Sequence, residues 1–109
     1  MARTTEESKV KEKVTNYLKA LKAQGDPIYF ERREAGGFGY KEGLPDLWCS
    51  YNGIHIEIEL KQLEGEARAR QEKWERDFRK AGSLYIRPYT FEEFRDWFEE
   101  RVVAILKER

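Results

Sequence analysis

Asn52-Gly53 lies between two runs of alternating residues, "LPDLWCSY" and "IHIEIELK". No other feature constrains the fold as strongly. A two-residue hairpin loop of type I′ needs positive φ at both central positions, and Asn-Gly is the pair that best tolerates it. Such a turn sets which residues face one another. Tyr51 is expected opposite Ile54, Ser50 opposite His55, Cys49 opposite Ile56, Trp48 opposite Glu57, Leu47 opposite Ile58 and Asp46 opposite Glu59. Successive strand residues point to opposite faces, so Leu47, Cys49, Tyr51, Ile54, Ile56, Ile58 and Leu60 collect on one uncharged face. Asp46, Glu57, Glu59 and Lys61 collect on the other.

Like charges directly across a strand pair oppose folding by roughly 0.2–1 kcal/mol. Taken alone, such a strand reads as a solvated face with a surface ion pair. Lys61, two residues beyond Glu59 on the same face, offsets part of the repulsion. A divalent cation between the two carboxylates would offset more, and Asp and Glu oxygens suit a hard ion such as Mg²⁺ or Mn²⁺. Asp46 and Glu59 are therefore candidate metal ligands, with the backbone carbonyl of Leu60 as a further donor. A metal held there can polarise a phosphodiester oxygen and neutralise charge on a leaving oxygen. Lys61 can orient or deprotonate an attacking water, or stabilise the transition state as a cation.

The flanking sequence supplies the other elements. Thr4 with Glu7 reads as a capping box for a helix with Val10, Val14, Tyr17, Leu18 and Leu21 on one stripe, stopped at Gly25 and Pro27. "PIYFERRE" reads as a strand, and "AGGFGYKEG" as a glycine-rich loop. Beyond the hairpin, "EGEARARQEKWERDFRKAG" carries Ala67, Trp74, Phe78 and Ala81 on one helical face, closed by Gly82. Gln71 interrupts that stripe where an apolar residue would be expected. "SLYIRPY" is a short strand, and Thr90 with Glu93 opens a last helix. The order is αβββαβα. A strand, a crossover helix and another strand imply parallel pairing of the third and fourth strands, so the sheet is mixed.

Composition removes several alternatives. The chain of 109 residues is the size of one domain spanning 1–109, and 39% hydrophobic with 14% aromatic residues is enough to fold. Twenty-one basic residues balance twenty-one acidic ones, so affinity for phosphates must come from a local patch. Cys49 and His55 are each alone in the sequence, which excludes a disulfide framework, a thiolate zinc cage and a histidine-rich metal site within one chain. With no long apolar run and no hydrophobic leader in "MARTTEESKVKEK", a cytoplasmic setting and no membrane association are expected.

Pro45-Asp46 followed by Glu59-Leu60-Lys61 resembles the Pro-Asp…Asp/Glu-x-Lys signature of the PD-(D/E)XK nuclease superfamily. "GLPDL", the hairpin, "IEIELK" and then Gln71 are most similar to its VRR-NUC group, the virus-type replication and repair nuclease domain, in compact stand-alone form. The similarity runs from about Glu7 to Gly82. It implies a restriction-endonuclease-like α/β fold with an αβββαβ core, to which a C-terminal helix is added here, and a metal-dependent DNA endonuclease. It also implies catalytic roles for Asp46, Glu59, Lys61 and Gln71. Glu7 matches the helix-borne acidic residue that helps bind the metal or its water, with Glu6 and Glu12 as alternatives. The stretch "KQLEGEARARQ" departs from the pattern, lacking the Ser/Thr or Pro that members often carry before the glutamine.

Arg32, Arg33 and Lys41 flank the glycine-rich loop leading into Asp46 and are candidate contacts to a nucleic-acid backbone. Trp48 and His55 read as packing residues, and Cys49 as buried. The last helix carries Phe91, Phe94, Trp97, Phe98, Val102, Val103, Ile105 and Leu106. That covers more than one face, so a self-association surface and a homodimer suited to branched DNA are expected. The competing expectation is a catalytically inactive nucleic-acid-binding or protein-interaction module on the same fold.

Overall fold

The computed structural model describes residues 2–33, 41 and 43–108, with the backbone alone at 2–6. The elements are α1 (Ala2–Ala23), β1 (Ile28–Arg32), β2 (Leu47–Tyr51), β3 (Ile54–Ile58), α2 (Gly65–Lys80), β4 (Leu84–Ile86) and α3 (Phe91–Trp97), then a π turn (Phe98–Val102) and α4 (Val103–Lys107). Four strands form one mixed sheet in the order β1-β2-β3-β4. β1 with β2 and β2 with β3 pair antiparallel, and β4 runs parallel to β3. This is the α/β arrangement expected from the sequence.

The hairpin has the expected register over its five pairs, from Tyr51 opposite Ile54 to Leu47 opposite Ile58. Asn52 and Gly53 have φ of 49° and +87°, as a primed turn requires. The uncharged face packs on α1 and on the C-terminal helical segment. Leu47, Cys49, Ile56 and Ile58 form one buried cluster with Val14, Leu18, Phe94, Phe98 and Val102. Burial, and next the negative charge of Glu57, push the Cys49 thiol up to about 12, so it remains protonated.

Helix ends follow local chemistry. After α1, Gly25 takes φ of +92°, its N–H donating to the Lys22 carbonyl while Asp26 N–H donates to Leu21. α2 closes in the same Schellman pattern at Gly82, with bonds to Arg79 and Phe78. The start of α1 differs from the expected capping box. The helix begins at Ala2, so Thr4 is not at the N-cap, and Glu7 Oε1 instead accepts from Gln62 N–H at 3.2 Å. The side chains of Thr4 and Glu6 lie outside the described residues. So does the glycine-rich stretch at 35–43, apart from Lys41 and Gly43. Gly43 lies tight against α2: a Cβ there would meet Arg70 Cβ at 2.9 Å. α2 begins without a side-chain cap on Glu64, consistent with the missing Ser/Thr, and Ala81 is exposed rather than part of the buried stripe.

The C-terminal segment is helical but not uniformly α-helical. Phe94, Phe98 and Val102 are spaced by four, and an α-helix drifts about 40° over each such step. The π turn, in which Val103 N–H donates to the Phe98 carbonyl, absorbs this drift and keeps all three on the core side. Phe91, Trp97, Val103, Ile105 and Leu106 pack partly buried against the same core. The apolar surplus thus has an internal use, which the sequence alone attributed to self-association. Tyr17 receives Phe91, Phe94 and Phe98 edge-on, with ring centroids at 5.8–5.9 Å. Among the described residues no helix is long and apolar enough to cross a membrane.

Candidate active site

The hairpin ladder ends at Leu47 and Ile58, and the next residue on each strand is an acid. Asp46 is 4% exposed and Glu59 is fully buried. A solvated strand face is therefore not what forms. Asp46 Oδ2 accepts from Leu60 N–H at 3.1 Å, and Glu59 Oε1 accepts from Lys61 N–H at 3.0 Å. Glu59 N–H donates to the Ile86 carbonyl at 2.9 Å, which ties this backbone to β4. Lys61 Nζ lies 3.7 Å from Asp46 Oδ1, with the lysine side chain 39% exposed. Glu59 Oε2 is buried with no hydrogen-bond partner among the described residues.

These contacts set the protonation of the pair. Burial, then the negative charge of the nearby Asp46 carboxylate, raise the Glu59 carboxyl to about 9. The Lys61 N–H and ammonium act in the opposite direction but do not compensate. In the isolated chain these surroundings favour the protonated form of Glu59.

Surrounding residues hold the site from two helices. From α1, Glu7, Ser8 and Lys11 line a pocket of about 180 Å³ together with Asp46, Leu60 and Lys61. Glu12 lies further along the helix, facing an adjoining groove. From α2, Gln71 is the one buried residue, its Nε2 donating to the Lys61 carbonyl at 3.1 Å and its Oε1 accepting from Arg68 at 3.3 Å. The glutamine that breaks the apolar stripe thus clamps the backbone of the lysine. Lys11 and Tyr85 escaped the sequence reading. Lys11 had one available signal, its position one helical turn after Glu7. Tyr85, 3% exposed, has a hydroxyl without a partner among the described residues. Its phenol is pushed upward by burial and next by the negative charge of Glu59.

The three candidate backbone contacts separate. Arg32 is exposed and lines the groove beside α1. Arg33 turns to the opposite sheet face, its guanidinium bidentate on Glu57 at 2.5 and 3.0 Å and also donating to the Pro45 carbonyl at 3.1 Å. Glu57 is fully buried and also contacts His55 Nε2, so Arg33 is spent on neutralising it rather than offered to a phosphate. His55 lies between the rings of Trp48 and Phe78, at 5.4 and 6.0 Å, as the packing reading expected. Lys41 sits over the Trp74 ring at 5.9 Å.

The donor set suits a hard divalent ion. The carboxylates of Asp46 and Glu59, the latter with a buried oxygen lacking a hydrogen-bond partner among the described residues, and the Leu60 carbonyl are oxygen donors of the kind that hold Mg²⁺ or Mn²⁺. Among the described residues no group of three or more His, Cys, Asp or Glu side chains converges as a ligand cluster, and Glu7 is one of the residues lining the pocket with Asp46. Fold and site together define an α/β domain with a buried acidic pair and a lysine at the end of a central hairpin. Comparisons with protein-family models, with curated proteins and with solved structures find no match.

Proposed function

We propose that the chain is a metal-dependent DNA endonuclease of the PD-(D/E)XK type, closest in pattern to the VRR-NUC group. The observation that carries this is the burial of two acids, Asp46 and Glu59, past the end of the hairpin ladder, with Asp46 and Lys61 lining one pocket. An unsatisfied buried carboxylate oxygen opposes folding unless something binds it. Asp46, Glu59 and the Leu60 carbonyl would hold Mg²⁺ or Mn²⁺. When bound, the ion supplies Lewis-acid polarisation of a phosphodiester oxygen and activation of water.

The residues of the chain then have separable tasks. Asp46 and Glu59 each fix one oxygen on a backbone N–H group, which orients the other. Lys61, partly exposed at the pocket mouth, places a cation where charge builds on the scissile phosphate. Gln71 positions Lys61 through its carbonyl, and Glu7 in the pocket lining orients water. Cutting both strands of a branched molecule needs two sites, so the proposal includes twofold association, measurable by light scattering.

The test is cleavage of branched, nicked and linear DNA with Mg²⁺ or Mn²⁺ by wild type, Asp46→Ala and Lys61→Ala. Loss in both variants is expected; equal activity in all three removes the assignment. The second reading is an inactive binding or interaction module. It is favoured by the backbone bonds of both acids and by the Lys61–Asp46 ion pair, which a purely structural strand end would also make. DNA binding without metal uptake in calorimetry would select it.

A further inference from the structure

The pocket at the acidic pair continues into a second, larger concavity. Ser8 and Lys11 line both, and the larger one, about 420 Å³, runs along one stripe of α1 to Lys19 and to Arg32 at the end of β1. The stripe follows from helical spacing: positions 8, 11, 12, 15, 16 and 19 share a face. Arg32 reaches it because its register opposite Leu47 puts it on the α1 side of the sheet, whereas Arg33 points to the other side. Among the described residues that line it, Lys11, Lys19 and Arg32 are basic and Glu12 is acidic, on a chain with no net charge.

We propose that this groove guides one phosphodiester strand of DNA into the site. Lys11 and Lys19 are separated by about 12 Å along the helix axis, the length of three to four nucleotide steps at about 3.4 Å each. A small anion needs converging donors, and cations two turns apart do not converge. A polyanion with repeating charges matches both the spacing and the direction of the groove, which leads to Lys61 and the acids. The groove shares no lining residue with the Arg33–Glu57 pair, so the two faces of the sheet divide the work. This inference rests on the nuclease reading of the adjoining pocket.

The test is fluorescence anisotropy of a labelled DNA duplex with a single-stranded flap, in chelator, over a range of salt. Lys19→Gln/Arg32→Gln is expected to weaken binding about tenfold and to make the log–log salt dependence shallower by about 1.5 to 2, since each lost phosphate contact removes nearly one unit of slope. Lys19→Arg/Arg32→Lys should bind as wild type, and Lys107→Gln, at the far end of the chain, should have no effect. Thermal melts of all variants establish that each is folded. Unchanged affinity and slope in the Gln double variant overturn the groove. If wild type nevertheless cuts DNA, the site reading survives that result. Loss of binding in a protein that cuts nothing with any divalent ion overturns the site reading and keeps the groove as a DNA track.

Discussion

The side-chain amide of Gln71 donates to the backbone carbonyl of Lys61 over 3.1 Å, from a position with no solvent exposure. It joins α2 to a residue lying just past the end of β3, where no ladder holds the backbone. Gln71→Leu keeps the volume and removes the bond. Leaving the carbonyl unsatisfied costs about 1–3 kcal/mol. The expected result is a fall in kcat of tenfold or more, with KM little changed. Steady-state kinetics beside urea unfolding separates the two effects, and wild-type turnover in a folded Gln71→Leu would remove the positioning role.

Stability should fall as pH rises in the metal-free protein. Glu59 carries its proton up to about 9 in the folded chain but loses it near 4.5, the ordinary value, when unfolded. Between those values the native state binds more protons, so the slope of unfolding free energy against pH is negative. The contribution is fully present below about 4.5 and is lost as pH approaches 9, a change on the order of a few kcal/mol. Glu59→Gln removes the ionisation and should flatten the curve. Denaturant titrations in chelator from pH 5 to 9 measure it; identical slopes in the two proteins would contradict the burial argument.

Mn²⁺ should reverse that loss. An ion that binds only the native state raises stability by mass action. It must also displace the Glu59 proton, so its affinity is expected to rise about tenfold per pH unit below 9. Calorimetry in buffers of differing ionisation enthalpy reads the released proton directly. Asp46→Ala should abolish both the heat and the rise in Tm.

Arg33→Ala is expected to destabilise the fold far more than it weakens DNA binding. It strands the fully buried Glu57 with only the half-exposed His55 beside it. Removing one partner of a buried pair costs about 3–5 kcal/mol. Arg33→Met/Glu57→Leu, which removes both charges, should recover most of the loss in a urea titration. A mild effect of the single substitution would mean that water reaches Glu57.

Phe98→Ala should cost about 3–5 kcal/mol. The ring is 1% exposed at the start of the π turn and meets Tyr17, Tyr51 and Phe94 at 5.2–5.8 Å. Thermal and chemical unfolding measure it.

What was legible in advance has a common cause. A two-residue turn and a period-two pattern act locally, so the five hairpin pairs and the meeting of Asp46 with Glu59 could be counted outward from Asn52-Gly53. Gln71 stood out because it broke an apolar stripe. What remained hidden depends on distant partners. Arg33 meets Glu57 across 24 residues, and no local pattern distinguishes that arginine from Arg32, which faces the groove. Glu57 read as solvated because a charged residue is seldom buried without a partner, and its partner lay just past the end of β1. The change of helical phase at Phe98 is equally invisible to a count that assumes 3.6 residues per turn.

The tip of the hairpin carries a further consequence. A Cβ built at Gly53 would meet nothing within 4 Å, so in the native state this position supports no neighbour. Yet gaining or losing one residue there would still permit a hairpin, with one strand's inward and outward sides exchanged. Asp46 and Glu59 would then part to opposite sides of the sheet. The apolar residues of the exchanged strand would leave the core at the same time, so insertions at the bare tip should cost the fold together with the chemistry, a pattern that surveying length variants at Asn52-Gly53 would expose.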